Sequence, residues 1–162
     1  MNIRRMTELA LLSAVALIIF VIELRIPNPF PRPGVKLGLA NIVTVYAVFR
    51  YRPSESAMIV TVRLLLGAMF SGNPSALLSS AAGAVCCLLG MLALRKILPE
   101  KQIWLCSAIG AMLHNIGQIT AAVMIMRSFG VIAYLPLLVV TGSLAGRFTG
   151  LCAQLLLRRI RR

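Results

Sequence analysis

Eight polar residues stand where their side chains could bind a solute inside an otherwise apolar chain. They are Glu23, Lys36, Asn41, Arg63, His114, Asn115, Gln118 and Arg147. His114 and Gln118 are four residues apart, and Asn115 and Gln118 are three apart, so on a helix they form one polar face. Ionisable residues within a membrane are costly and mark functional sites by default. We therefore predict a substrate-binding site built from these eight residues.

The charges of this set favour an anionic or polar ligand. Lys36, Arg63 and Arg147 are cationic, and Glu23 is the only carboxylate among the eight. Such an imbalance is unfavourable in a low dielectric, and an anionic ligand would compensate it. Structural alternatives stay open: Arg63 could pair with Glu23, Arg147 could extend to the cytoplasmic side, and His114 could be a hydrogen-bonded core residue.

The sequence lacks the residue patterns of catalytic sites. It has no phosphate-binding loop of the form G-x-x-x-x-G-K followed by Ser or Thr. One histidine, four glutamates and no aspartate make a catalytic metal site improbable and leave no Asp-rich motif for a Mg²⁺-bound diphosphate. The cysteines are predicted to be packing residues; they are Cys86, Cys87, Cys106 and Cys152. We expect no enzymatic activity, no metal and no cofactor.

The composition is that of a membrane protein. Of 162 residues 59% are hydrophobic, and the mean hydropathy is +0.90, whereas a soluble domain is about 45–50% apolar. The net charge of +13 comes from short basic clusters between apolar runs. This distribution is typical of the loops of membrane proteins and argues against nucleic-acid binding.

Six apolar segments predict an all-α bundle of six transmembrane helices, forming one domain over residues 1–162. The predicted spans are 7–24, 35–49, 54–70, 75–94, 102–126 and 131–157. The intervening stretch 25–34 contains four prolines and is predicted to be a non-helical loop. The second and third spans are separated by residues 50–53 and are expected to form a tight helical hairpin.

The basic residues predict the orientation. With the N-terminus in the cytoplasm, eleven of the 17 Lys and Arg residues fall in cytoplasmic stretches and four in outer stretches. The positive-inside rule then favours an even number of spans with both termini cytoplasmic. We expect a multi-pass protein in lipid contact in the bacterial cytoplasmic (inner) membrane.

Small residues predict where helices approach each other. They recur at every fourth position over residues 142–150 and 79–87, where we expect packing within the bundle, and at Ala10 and Ala14, which could serve a partner protein. Gly110 and Gly117 would allow a ligand or a helix to come close to the polar face. Gly67, one turn after Arg63, is expected to leave room over its guanidinium group.

Three stretches of the chain resemble the Gx transporter family, which is also known as heptaprenyl diphosphate synthase component I. They are residues 23–41, 63–72 and 110–118. The resemblance spans nearly the whole chain, and the run Pro-Gly-Val-Lys-Leu-Gly-Leu-Ala-Asn at 33–41 is its most specific part.

This family is similar in size and layout to the S components of energy-coupling factor transporters. Those six-helix proteins bind a vitamin or another small solute from outside and work with a transmembrane coupling protein and ATPases. Their first helix docks through an Ala-x-x-x-Ala pattern, which Ala10 and Ala14 match. The resemblance implies that Lys36 and Asn41 face the pocket and that residues 25–34 form its outer lid.

A second function is left open. The chain could be a non-catalytic accessory subunit linked to prenyl diphosphate or quinone synthesis, or to flavin-based extracellular electron transfer. The polar residues would then mainly hold helices together.

Overall fold

The computed structural model describes residues 3–25, 39–71 and 74–160, which form an all-helical bundle. Its α-helices are α1 (Ile3–Arg25), α2 (Asn41–Arg50), α3 (Pro53–Ser71), α4 (Pro74–Leu94), α5 (Ile103–Met126) and α6 (Leu135–Ile160), with 3₁₀ segments at Glu100–Gln102 and Phe129–Tyr134. The prediction that the chain is all-α is thereby confirmed for the described residues. The expected lid at 25–34 lies almost wholly outside the described residues, as does Lys36.

Five helical stretches of the described chain are long and apolar enough to cross a membrane. They are Ile3–Glu23, Pro53–Phe70, Leu77–Leu94, Ile103–Met126 and Phe129–Ile160. The predicted second span differs, because α2 has only ten residues. At 1.5 Å per residue it is about 15 Å long, about half of the ~30 Å hydrocarbon core.

The first turns of α1 and α3 lie side by side, so these two helices run parallel. Arg5 Nε is 2.7 Å from Glu55 Oε1, and the Tyr51 hydroxyl donates to Glu8 Oε2 at 3.3 Å. Burial of Tyr51 and the nearby Glu8 carboxylate raise the pKa of this hydroxyl. Because Tyr51 follows the last residue of α2, the C-terminal end of α2 lies at the same end of the bundle as these first turns.

The remaining helices place both ends of the described chain at the same end of the bundle. At the end of α4, the guanidinium group of Arg95 donates to the carbonyls of Val48 and Tyr51. Further along, α6 runs antiparallel to α5, with Gly150 packed against Trp104. We call this the basic end, because it carries Arg4, Arg5, Arg50, Arg52, Arg95, Lys96, Lys101, Arg158 and Arg159.

Close backbone contacts hold α4, α5 and α6 together. A methyl group at Gly83 would lie 2.6 Å from the carbonyl oxygen of His114, and one at Gly146 would lie 2.9 Å from the carbonyl oxygen of Ser107. Only glycine permits such approaches. The prediction that the small residues of the fourth and sixth segments pack within the bundle is confirmed.

The first helix is peripheral. It packs mainly on α3 and contacts α2 less extensively. Leu9 and Ala16 are buried in these contacts, whereas Ala10 and Ala14 are exposed. The Ala10–Ala14 face is thus accessible at the outside of the described bundle, where a partner could reach it.

Candidate functional site

A cavity of about 100 Å³, measured as the space open to the centres of water molecules, lies inside the bundle. All six α-helices contribute to its wall. Six of the eight predicted site residues line it: Glu23, Asn41, Arg63, His114, Asn115 and Gln118. Residues from four separate helices, far apart in sequence, are thereby brought to one place.

Arg63 is the buried cation of this cavity. It lies midway along α3 and is 9% exposed. Its Nη1 donates to Asn41 Oδ1 at 3.3 Å, and the carboxylate of Glu23 attracts it electrostatically. The described hydrogen bond of Arg63 is thus to a neutral amide, and the suggested pairing of Arg63 with Glu23, which lines the same wall, stays a prediction.

The N-terminus of α2 opens onto the same cavity. Ala40 and Asn41 line the wall, and no side chain caps the first turn of this helix. Since α2 ends at the basic end and is about 15 Å long, its N-terminus lies roughly half-way across the bundle. A helix N-terminus carries a partial positive charge, which adds to that of Arg63.

The polar face of α5 contributes both cavity wall and helix contacts. Asn115, 9% exposed, donates its amide hydrogen to the carbonyl of Leu138 in α6. His114 and Gln118 are half-buried and pack against Gly83 of α4. The interpretation that this face holds helices together is therefore supported for Asn115. All three residues also line the cavity.

The expected space above Arg63 is filled. A methyl group at Gly67 would lie 2.9 Å from Cε1 of Phe20, so the aromatic ring of α1 occupies the gap that the glycine leaves. Likewise, Gly110 and Gly117 admit side chains and backbone of α4. The missing side chains thus make room for neighbouring helices at these places.

Arg147 lies apart from the cavity, contrary to its inclusion in the predicted site. Its side chain is exposed, and its Cζ is 5.4 Å from the centroid of the Trp104 ring. The α6 residues that line the cavity include Gly146 and Thr149. Successive helical residues are rotated by about 100°, which turns Arg147 away from that face.

Several cavity residues were not predicted from the sequence. Phe20 is one apolar residue among many, so nothing in its surroundings distinguishes it. Ser107 and Thr149 also line the wall, and their hydroxyl oxygens are 3.2 Å apart across the α5–α6 contact. Ser107 and Thr149 could have been identified from the sequence, because each is a polar residue within a strongly apolar segment.

In the described part of the chain, no three His, Cys, Asp or Glu side chains are grouped so that they could hold a metal ion. The four cysteines, predicted as packing residues, are unbridged. Cys87 and Cys106 are buried, and Cys87 packs near Gly110.

Comparison with known protein families gives a match. A family model described as heptaprenyl diphosphate synthase component I matches residues 12–156, a range that includes every residue of the cavity wall. No curated protein matches the chain, and no solved structure matches it.

Proposed function

We propose that this chain, which belongs to the heptaprenyl diphosphate synthase component I family, is a membrane subunit that binds a small anionic or vitamin-like solute for uptake. The observation that carries this proposal is the cavity around buried Arg63. Its wall joins a cationic side chain, a helix N-terminus and an apolar surface, which together form a small-molecule site.

The electrostatics of the cavity support a bound anion. An arginine buried within a membrane-spanning bundle is costly unless charges and hydrogen bonds compensate it. Asn41 supplies a neutral acceptor, and Glu23 supplies a carboxylate. The N-terminus of α2 adds positive potential, so the site as a whole still favours an anion.

The basic end faces the cytoplasm in this proposal. The structure describes nine Lys and Arg residues at this end, whereas Arg25 and Arg127 lie at the ends of helices on the opposite side. The positive-inside rule then places both chain ends in the cytoplasm. The solute would enter from the opposite side, where residues 25–34 are expected to form the lid.

A coupling partner completes the proposal. The exposed Ala10–Ala14 face of α1 would dock on a transmembrane coupling protein with ATPases, as in S components. The chain itself acts by binding and carries out no catalysis, so energy comes from that partner or from an ion gradient.

The second candidate function is that of an accessory subunit in prenyl diphosphate synthesis. The family description favours it, and the Asn115–Leu138 hydrogen bond shows how a polar residue of the cavity can serve helix packing. In that case the chain would support a separate catalytic component, and the cavity would bind no solute.

Native mass spectrometry of the gently extracted full chain tests the proposal. We expect one copy of a small ligand per chain in the wild type. Arg63→Gln removes the charge-assisted contact and should reduce occupancy about tenfold or more. Arg50→Gln, a change of the same type at an exposed position, should retain the ligand.

Two results would argue against solute binding. If the wild type carries no ligand but holds a second protein tightly, the accessory-subunit function is favoured. Equal ligand occupancy in Arg63→Gln and the wild type would place the solute outside the cavity.

A further inference from the structure

We propose that the solute is an amphiphilic oxyanion, with one carboxylate or phosphate group at Arg63 and an apolar body against Phe20, Leu64 and Leu77. The proposal rests on the proposed function and specifies the ligand of the same cavity. It follows from the distribution of charge and apolar surface along the wall.

The guanidinium group of Arg63 selects the chemistry of the head group. It is planar and offers five N–H donors in a geometry that matches two oxygens of a carboxylate or phosphate. Asn41 accepts from Nη1 at 3.3 Å, a distance at the long end for N–H···O hydrogen bonds. An oxyanion would be a stronger acceptor than this amide oxygen.

The first turn of α2 supports the same head group. The helix begins at Asn41, whose side chain contacts the guanidinium group, so the first turn of α2 is close to Arg63. The Ile42 N–H is taken by Leu39 O at 3.0 Å, and the turn has no side-chain cap. Uncapped N–H groups next to a buried cation form an oxyanion site, as at the broken helices of transporters.

Glu23 limits the charge of the ligand to one anionic group. Its carboxylate lines the same wall and acts on Arg63. A carboxylate added to Arg63 and Glu23 gives a net charge of −1, and a phosphate monoester gives about −1.5 to −2; the helix N-terminus offsets this charge in part. A second anionic group would meet repulsion from Glu23 without a second lining cation in the described part of the wall.

Apart from the polar side chains already described, most of the wall is apolar. Phe20, Leu64 and Leu77 come from three different helices. Val45 and Met91 extend the apolar surface. A strongly polar group placed against these apolar side chains would lose hydration without new hydrogen bonds. The part of the ligand body that meets them is therefore expected to be apolar.

Thermal unfolding of the full chain in phosphatidylcholine nanodiscs tests this class of ligand. The probes are hexanoate and hexyl phosphate, with hexanamide and hexylammonium as neutral and cationic counterparts of similar length and acetate as a head group without a body. We expect hexanoate and hexyl phosphate to raise Tm in a saturable manner. Hexanamide, hexylammonium and acetate should leave it unchanged at the same concentrations.

Asn41→Asp keeps the shape of the side chain while placing a carboxylate beside Arg63. The new carboxylate would pair with the guanidinium group, so the ligand-free protein should keep its Tm. It would also occupy the place of the ligand head group and weaken hexanoate binding about tenfold or more. Arg50→Gln should bind hexanoate like the wild type.

The outcomes separate the two proposals. Binding of hexanamide or hexylammonium as tightly as hexanoate, or unchanged hexanoate affinity in Asn41→Asp, would overturn the oxyanion class while leaving solute binding in place. Absence of binding by every probe, together with no co-purifying ligand, would overturn solute binding itself. A co-purifying solute without an oxyanion would overturn only the class.

The same oxyanion could belong to a lipid head group. Replacing part of the phosphatidylcholine by phosphatidylglycerol distinguishes this source. A rise in Tm that is lost in Asn41→Asp would identify the anionic lipid head group as the ligand, whereas a rise that persists in the variant would place lipid binding outside the cavity and contradict the proposal for that ligand.

Discussion

Arg63 and Asn115 both bring polar atoms into an apolar bundle, and these atoms are satisfied by different kinds of partner. Arg63 faces the cavity, where its guanidinium group interacts with Asn41 and Glu23. Asn115 turns its amide nitrogen to the carbonyl of Leu138. At the residue scale the first side chain is therefore suited to a ligand, and the second contributes to stability.

Asn115→Ala should destabilise the bundle. The substitution removes a buried hydrogen bond between α5 and α6, and a net loss of about 1–2 kcal/mol is expected. Unfolding by SDS, followed by circular dichroism, measures this change. Thr120→Ala is the matched control, because the Thr120 hydroxyl is exposed and bonds only within its own helix, to Ile116 O.

An equal effect of Asn115→Ala and Thr120→Ala would show that the contact with Leu138 carries no net stability. The comparison needs no knowledge of the ligand and is best made on ligand-free protein.

Much of the polar site is predictable from residue types, and its apolar part is not. His114, Asn115 and Gln118 stand out in an apolar segment, and helical spacing correctly groups them. Spacing within one helix cannot say which face meets the neighbours, which is why Arg147 was included. Phe20 is missed for another reason: its position depends on how α1 packs against Gly67, a contact between distant residues.

At the scale of elements, glycine determines how closely α4, α5 and α6 approach. Gly83 and Gly146 stand directly against backbone atoms of α5. The sequence predicts this trio well, since a four-residue repeat of small residues marks a helix contact. It predicts α2 less well, because apolar length suggested a span over 35–49, whereas the described helix begins at Asn41.

Gly146→Ala should push α5 and α6 apart. The added methyl group would lie 2.9 Å from both Ala108 Cα and Ser107 O, which are backbone atoms that cannot rotate away. Overpacking of this kind costs about 1–3 kcal/mol, to be measured by SDS-induced unfolding. Gly130→Ala is the control, because its nearest contact would be Ser128 Oγ at 3.5 Å.

If Gly146→Ala unfolds at the same SDS fraction as Gly130→Ala, the α5–α6 contact is looser than the structure describes. A loss of ligand without a loss of stability would instead indicate that the added methyl group reaches the cavity, whose wall includes Gly146.

At the scale of the whole molecule, both ends of the described chain lie at one end of the bundle, and that end also carries most of the described positive charge. The first turns of α1 and α3 meet through Arg5 and Glu55, and α6 returns to the same end. The basic clusters of the sequence predicted that both ends of the chain lie on the same side. This prediction uses the charge of the short loops and therefore does not depend on the length of any one helix.

Reporter fusions test the orientation. Green fluorescent protein fused after Arg162 should fluoresce, and alkaline phosphatase fused there should be inactive, because the basic end is expected in the cytoplasm. Fusions truncated at Ser128, in the connection between α5 and α6, should give the opposite pattern. Identical patterns at the two positions would contradict the antiparallel placement of α5 and α6 across a membrane.

The short helix α2 has a consequence for biogenesis. Seven consecutive residues, Val43 to Phe49, are buried, so neighbouring helices rather than lipid surround it. A ten-residue helix alone in a bilayer would leave its terminal peptide groups in hydrocarbon without partners. We therefore expect α2 to integrate only after later helices have been synthesised, so that the order of insertion differs from the order of translation.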